Sequence, residues 1–298
     1  MPNVKEMIAK ALDRGQRSLS EFESKQILAH YGIPVVKEVL VKDLDGARQA
    51  AGEIGYPVVL KVCSAEITHK TEKGLIELDL RDEKDLGRAF ERLQKAAGGW
   101  SGDFLVQQMA RGPRELVAGM TRDAQFGPCV MLGLGGIFTE TLNDVSFRVA
   151  PIGEHDVLDM VEELRGEKML GPVRGMDAVS METLTRTLMA LGSIGLEHPH
   201  IHEIDVNPLV VQGNQPVAVD ALVVLGEPAE ELPETRFEPH QLDLFLAPKH
   251  RHHRGLLRFR QTGKRRDTKY HGQRVSRETL PGEPQGRGNS RDKGPSFH

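Results

Sequence analysis

The sequence predicts a mixed α+β body over its first 226 residues, and three observations carry that reading. Helix-like and strand-like segments alternate along it, as they do when helices cover sheets instead of packing only on one another. Several consecutive strand candidates are joined by turns too short for a parallel crossover, which makes them antiparallel neighbours. From Gly226 the pattern gives way to an acidic, proline-rich stretch.

In chain order, residues 1–17 read as an N-terminal helix or extension. Ser20 with Glu23 forms a capping box that opens a helix, and Gly32 followed by Pro34 closes it. Apolar residues at i, i+4 and i+7 mark three further helices: Leu86, Phe90 and Leu93; Val157, Val161 and Leu164; Leu184, Leu188 and Leu191. Strand candidates run over Val35–Val41, Pro57–Val62, Leu75–Leu80, Phe104–Gln108, Glu115–Met120, Cys129–Leu134, Val145–Val149, His202–Val206, Pro208–Gln212 and Pro216–Asp220. The last two flank Gly213-Asn214 and so read as a hairpin. A core of residues 18–226 is therefore expected, then a linker over 227–249 and a tail over 250–298.

Composition narrows the class. The 298 residues carry a net charge of −4, but 14 basic and 4 acidic side chains fall in residues 249–298, leaving that end at +10 and the rest at −14. Those last fifty residues contain no Ala, Ile or Met and no period, so they cannot bury enough apolar surface to offset their ordering entropy and are expected to be disordered. A nucleic-acid arm is the weaker reading of this segment, since it lacks aromatic interleaving or a fold motif. No run of eighteen apolar residues exists and the first ten residues lack the regions of a signal peptide, so neither a membrane span nor secretion is expected and the chain reads as cytoplasmic. Two cysteines, Cys63 and Cys129, are too few for a disulfide framework or a thiolate zinc site.

Four groups of residues could carry chemistry. Lys61 ends the apolar run Pro57-Val58-Val59-Leu60, where an ammonium can meet a phosphate or simply snorkel at a sheet edge. His69 lies in a polar loop with Lys70 and Lys73; neighbouring cations favour the neutral imidazole, the form that can attack phosphorus, although a solvated loop histidine looks the same. Gly133, Gly135 and Gly136 follow a strand and let backbone N–H groups approach phosphate oxygens, or make a tight turn. Arg148, a few residues beyond Asp144, could neutralise a transferring phosphoryl group. Alternation over Ile201–Leu209 puts Glu203, Asp205 and Asn207 on one face, and Asp220 ends the partner strand. Such hard oxygen donors suit Mg²⁺ over zinc, or face solvent on an edge strand.

Taken in order, these segments resemble the ATP-grasp domain of ADP-forming acyl-CoA synthetases, the acetate–CoA ligase type related to the succinyl-CoA synthetase β subunit. The likeness spans about Leu19 to Leu225. It rests on Leu19-Ser20-Glu21-Phe22-Glu23-Ser24-Lys25 with Tyr31-Gly32-Ile33-Pro34; on Tyr56-Pro57-Val58-Val59-Leu60-Lys61; and on Ile67-Thr68-His69-Lys70. Arg114-Glu115, the loop from Gly133 to Glu140 with Asp144-Val145-Ser146-Phe147-Arg148, and Glu203-Ile204-Asp205-Val206-Asn207-Pro208-Leu209 complete it.

The resemblance implies an ATP-grasp fold, two lobes with ATP or ADP between them. It implies Lys61 on the nucleotide phosphates, Gln107, Gln108 and Met109 as a hinge whose backbone reads adenine, and Glu115 on the ribose hydroxyls. Asn207 and Asp220 would hold Mg²⁺, and His69 would relay the phosphoryl group. The reaction implied is acyl-CoA + ADP + phosphate ⇌ carboxylic acid + CoA + ATP. One departure is Lys73-Gly74-Leu75, where the family usually shows a Gly-Gly pair.

The implied partner is an α-type CoA-binding and ligase subunit or domain, through which CoA and a small carboxylic acid reach an oligomeric assembly. Leu242 to Lys249 looks like the opening of such a domain, but no apolar strand and glycine-rich turn follow. A reading-frame change near residue 249 is the hypothesis this suggests; a coding sequence whose other two frames also lack that strand and turn defeats it. Two rival readings are an ATP-grasp ligase that joins an acyl phosphate to an amine, which needs no relay histidine, and a non-catalytic nucleotide-binding subunit.

Overall fold

The computed structural model describes residues 3–65, 74–98, 102–136 and 144–228, all within one compact unit, Met1–Thr235. They form two sheets. The smaller contains β1 (Glu38–Val41), β2 (Val58–Val62), β3 (Ile76–Leu80) and β4 (Phe104–Gln108) in the order β1-β4-β2-β3. The larger contains β5 (Glu115–Asp123), β6 (Gly127–Leu134), β7 (Val145–Val149), β8 (Ile201–Gln212), β9 (Gln215–Ala218) and β10 (Ala221–Leu225). Its order is β10-β8-β5-β6-β7, with β9 bonded to β8. Every ladder between these strands is antiparallel, as the short turns require.

Each sheet has one face covered by helices. On the smaller sheet, Val58, Leu60, Val62, Phe104 and Val106 pack under α3 (Leu44–Ile54) and α4 (Glu83–Ala96), which contribute Ala47, Ala50, Ala51, Leu86, Phe90 and Leu93. On the larger, Ala118, Met120, Val130, Leu132, Ile204, Val206 and Val223 pack under α5 (Glu154–Glu163) and α6 (Met181–Glu197) through Val157, Met160, Leu184, Leu188 and Leu191. α1 (Val4–Asp13) and α2 (Glu21–His30) join that second core. Side chains alternate across a strand, so the residues between these apolar positions point to the opposite faces, where Lys61 and Gln107 lie among buried apolar residues such as Val59 and Leu105.

Several elements depart from expectation. Only Glu38–Val41 of the first strand candidate is a strand; Val35 instead bridges to Ala218, and Val36 donates its N–H to the Ala218 carbonyl, 3.1 Å away. That segment is bound to the larger sheet before the chain enters the smaller one. The two candidates around Pro208 are one strand, β8. Proline lacks a donor but still accepts, and the Pro208 carbonyl takes the Val219 N–H at 3.1 Å. α3 and β10 have no counterpart in the sequence reading. The apolar stripe of α3 is built from small alanines between an Asp43 cap and Gly55, and β10 follows β9 after only two residues. The linker from residue 229 and the tail lie outside the described residues.

Candidate functional site

Lys61 sits on β2 between Leu60 and Val62, which face the helix-covered core, so its own side chain points the other way. It is only 4% exposed. Its Nζ donates to Glu21 Oε1 at 2.6 Å and lies 3.7 Å from Asp220 Oδ2. Burial alone would push the ammonium pKa down; the charges of Glu21 and Asp220, the Glu21 hydrogen bond and Glu38 outweigh it and hold the pKa above the ordinary lysine value. Glu21 is the first residue of α2, whose Ser20 cap and Glu23 complete the expected capping box. One turn on, Lys25 donates to Glu21 Oε1 at 2.9 Å, to Gln107 Oε1 at 2.8 Å and to the Val219 carbonyl at 3.1 Å, and it is ion-paired with Glu38. Burial lifts the Glu38 carboxyl to about 7, against the opposing pull of Lys25.

The face of the larger sheet away from the helices supplies oxygen donors. Ile204 and Val206 enter the core, so Glu203, Asp205 and Asn207 share the other face. Val206 pairs with Ala221, which sets Asn207 beside Asp220 at the next position along the ladder. Burial, then the charges of Glu203 and Asp220, push the Asp205 carboxyl up to about 6. Among the described residues no three His, Cys, Asp or Glu side chains converge to hold a metal. One amide and one carboxylate, Asn207 and Asp220, nevertheless fit Mg²⁺, which takes few protein ligands and completes its shell with water and phosphate oxygens.

At the start of β5, Glu115 shares that face, because Leu116 and Ala118 enter the core. Gly135 donates its N–H to the Glu115 carbonyl at 2.7 Å, and a Cβ on Gly135 would come within 2.8 to 2.9 Å of Glu115 atoms. Gly136 has φ +67°, and a Cβ there would stand 3.6 Å from Glu115 Oε2. The glycine pair and Glu115 thus form one corner, in which Gly135 has no room for a side chain. Gln107, Gln108 and Met109 lie where β4 leaves the smaller sheet for β5. The expectation that their backbone reads adenine meets a constraint: Gln108 N–H is bonded to the Lys37 carbonyl at 2.8 Å and Met109 N–H to the Pro57 carbonyl at 3.3 Å. The Gln107 side chain is fully buried, and its Nε2 has no hydrogen-bond partner among the described residues.

Arg148 is not part of this assembly. It pairs in register with Val130, a core residue, while Phe147 pairs with Met131, so Arg148 points to the helix side, away from Asp205 and Asn207. There it grips Glu163 of α5 at 2.9 and 2.8 Å. β7 is also the edge strand farthest from β10, and side-chain parity and strand order together correct the expectation of a phosphoryl-neutralising role. His69 lies outside the described residues, as does the glycine loop beyond Gly136. Glu21, Lys25 and Glu38 were not anticipated as site residues. The i,i+4 spacing of Glu21 and Lys25 was visible, but their convergence on Lys61 is a property of the tertiary fold.

Comparison with known proteins agrees with this architecture. The model of an ATP-grasp domain family matches residues 10–225. The β subunit of the ADP-forming acetate–CoA ligase I of Pyrococcus furiosus is 40% identical over 227 residues, 74% of this chain and 97% of that one. The ADP-forming acetate–CoA ligase I of Archaeoglobus fulgidus is 39% identical over 229 residues, 75% of this chain but 33% of that one. Among solved structures, an acetyl-coenzyme A synthetase of Ca. Korarchaeum cryptofilum matches with a TM-score of 0.68 at 38% identity, covering 75% of this chain and 100% of that one. That protein is in complex with coenzyme A and Mg-AMPPCP, its phosphohistidine segment pointing towards the nucleotide site.

Proposed function

The chain belongs to the ATP-grasp family, among the β subunits of ADP-forming acetate–CoA ligases, and from that premise we propose that it handles the nucleotide in acyl-CoA + ADP + phosphate ⇌ carboxylic acid + CoA + ATP. The observation that carries the reading is the 3.7 Å approach of Lys61 Nζ, from the smaller sheet, to Asp220 Oδ2, beside the larger. Both groups suit a triphosphate, the ammonium as a direct phosphate ligand and the carboxylate as a metal ligand. ADP or ATP lies between the sheets, with Glu115 on the ribose and the Gly136 backbone facing phosphates, the Gly135 N–H being held by the Glu115 carbonyl. Asn207 and Asp220 would hold Mg²⁺, which would neutralise phosphate charge.

His69 accepts the phosphoryl group of ATP. Its neutral imidazole nitrogen forms a P–N bond to the terminal phosphorus as the P–O bond to ADP breaks, and ADP leaves with that electron pair. The reverse transfer makes ATP. The chain spans a third of the Archaeoglobus relative, which supports a partner, an α-type CoA-binding and ligase subunit that brings CoA and the carboxylic acid in a cytoplasmic oligomer. Among the described residues no helix is long and apolar enough to cross a membrane.

Titration of the full chain with ADP, with and without Mg²⁺, tests the reading. Binding that strengthens with Mg²⁺ and collapses in Lys61→Met and Asp220→Asn is expected; indifference to all three overturns it. Incubation with labelled ATP should then leave an acid-labile phosphate on the wild-type chain and none on His69→Asn. Phosphotransfer from ATP to a carboxylic acid that survives His69→Asn would favour a ligase without a relay histidine.

A further inference from the structure

We propose that Glu21 is a positioning residue that fixes the ammonium of Lys61, and that Lys25 acts through Glu21. The proposal rests on the reading of Lys61 as the phosphate-binding cation. A single oxygen, Glu21 Oε1, accepts from Lys61 Nζ at 2.6 Å and from Lys25 Nζ at 2.9 Å. Lys25 is tied in turn to Gln107 and Glu38 of the smaller sheet and to the Val219 carbonyl next to Asp220. The tip of Lys61 is thereby referenced to both sheets through side chains that are themselves almost wholly buried, Lys25 at 1% and Glu21 at 4% exposure.

The two acids near Lys61 are not equivalent. Glu21 is buried and within hydrogen-bonding distance, whereas Asp220 stands 3.7 Å off and its side chain is 35% exposed. A cation that engages Asp220 draws its charge away from Lys61, while Glu21 stays in place. The ammonium has three N–H donors; Glu21 takes one, which leaves donors for phosphate oxygens. A lysine is a point charge on a flexible stem, and without Glu21 its tip would swing.

The experiment is a double-mutant cycle on Mg-ADP binding by the full chain: wild type, Lys61→Met, Glu21→Gln and the double variant. Glu21→Gln should weaken binding by about 10- to 100-fold, the value of a hydrogen bond to a charged group. The double variant should bind no more weakly than Lys61→Met alone, since Glu21 acts only through Lys61. Glu21→Asp, which keeps the charge, should recover part of the binding that Glu21→Gln loses, a rescue that a purely structural role would not produce. Losses that add, or a Glu21→Gln variant that binds like wild type, overturn the proposal. If Glu21→Gln does not fold, Glu21→Asp, which keeps the charge and retracts it, carries the same cycle. Equal binding by wild type and Lys61→Met is a different failure, that of the reading of Lys61 itself.

Discussion

Lys61 and Arg114 are equally buried, each 4% exposed, yet the fold satisfies their charges in opposite ways. Arg114 donates to four backbone carbonyls, those of Met169, Gly171, Asp177 and Gly213, and among the described residues no carboxylate pairs with it. Lys61 is met by two carboxylates, Glu21 and Asp220. Carbonyls are fixed by the chain that carries them, so the guanidinium is a permanent clamp between the loop before α6 and the β8–β9 turn. Carboxylates carry charge that protons, metals or phosphates can replace, so the ammonium sits in a setting that can change. A buried cation held by neutral dipoles marks architecture, and one held by titratable charge marks a site.

That contrast is sharpest under mutation. Arg114→Met should destabilise the chain by about 3–5 kcal/mol, because it leaves several buried carbonyls without donors, while the molecules that remain folded bind Mg-ADP as wild type does. Denaturant unfolding and calorimetric binding on the same samples would separate the two effects. A variant that unfolds normally but has lost nucleotide affinity would break the contrast. Lys61→Met should do the reverse. Binding should fall by about 100-fold, with a stability change of less than ~2 kcal/mol because Glu21 keeps Lys25 as its partner.

The next effect is one of pH. Glu38 has its carboxyl lifted to about 7 by burial, partly opposed by Lys25. The folded chain therefore holds this proton more tightly than the unfolded chain. The stability it contributes is fully present below the ordinary glutamate range and is lost as pH rises to about 7, on the order of 3 kcal/mol in all. Glu38→Gln should flatten stability between pH 4 and 7, those limits being roughly the ordinary and the raised carboxyl values. Urea unfolding of wild type and Glu38→Gln across that range checks the point, and a wild-type slope retained in the variant would count against it.

What the sequence discloses follows from how local each signal is. The capping box of α2, the stripe of α4 and the hairpin at Gly213-Asn214 are set by residues within a turn of one another, and they stand as read. The face shared by Glu203, Asp205 and Asn207 follows from alternation alone. The approach of Lys61 to Asp220 has no local signature, and in the sequence it rests on family resemblance. The network of Glu21, Lys25, Glu38 and Gln107 is less legible still, for its members come from three elements and pair across as many as 82 residues. α3 was hidden because its buried residues are alanines, which give weak apolar contrast against their polar neighbours.

Arg148 offers the smallest effect and a direct check on side-chain parity. Its position after a glycine loop made it a candidate for phosphoryl chemistry, but a strand sends successive side chains to opposite faces. Register with Val130 commits it to the helix side. Its guanidinium is raised further from neutrality by the Glu163 hydrogen bonds, with burial opposing them, and Ser146 donates to the same carboxylate at 2.8 Å. The Glu163 side chain is 48% exposed, so solvent screens the pair and its loss should cost about 1 kcal/mol or less. Arg148→Gln should therefore lower the unfolding midpoint slightly and leave Mg-ADP affinity and phosphate incorporation at wild-type levels. A tenfold or larger loss of phosphate incorporation with an unchanged midpoint would mean that this side chain acts across the sheet edge in the reacting state, and that parity in β7 is not kept there.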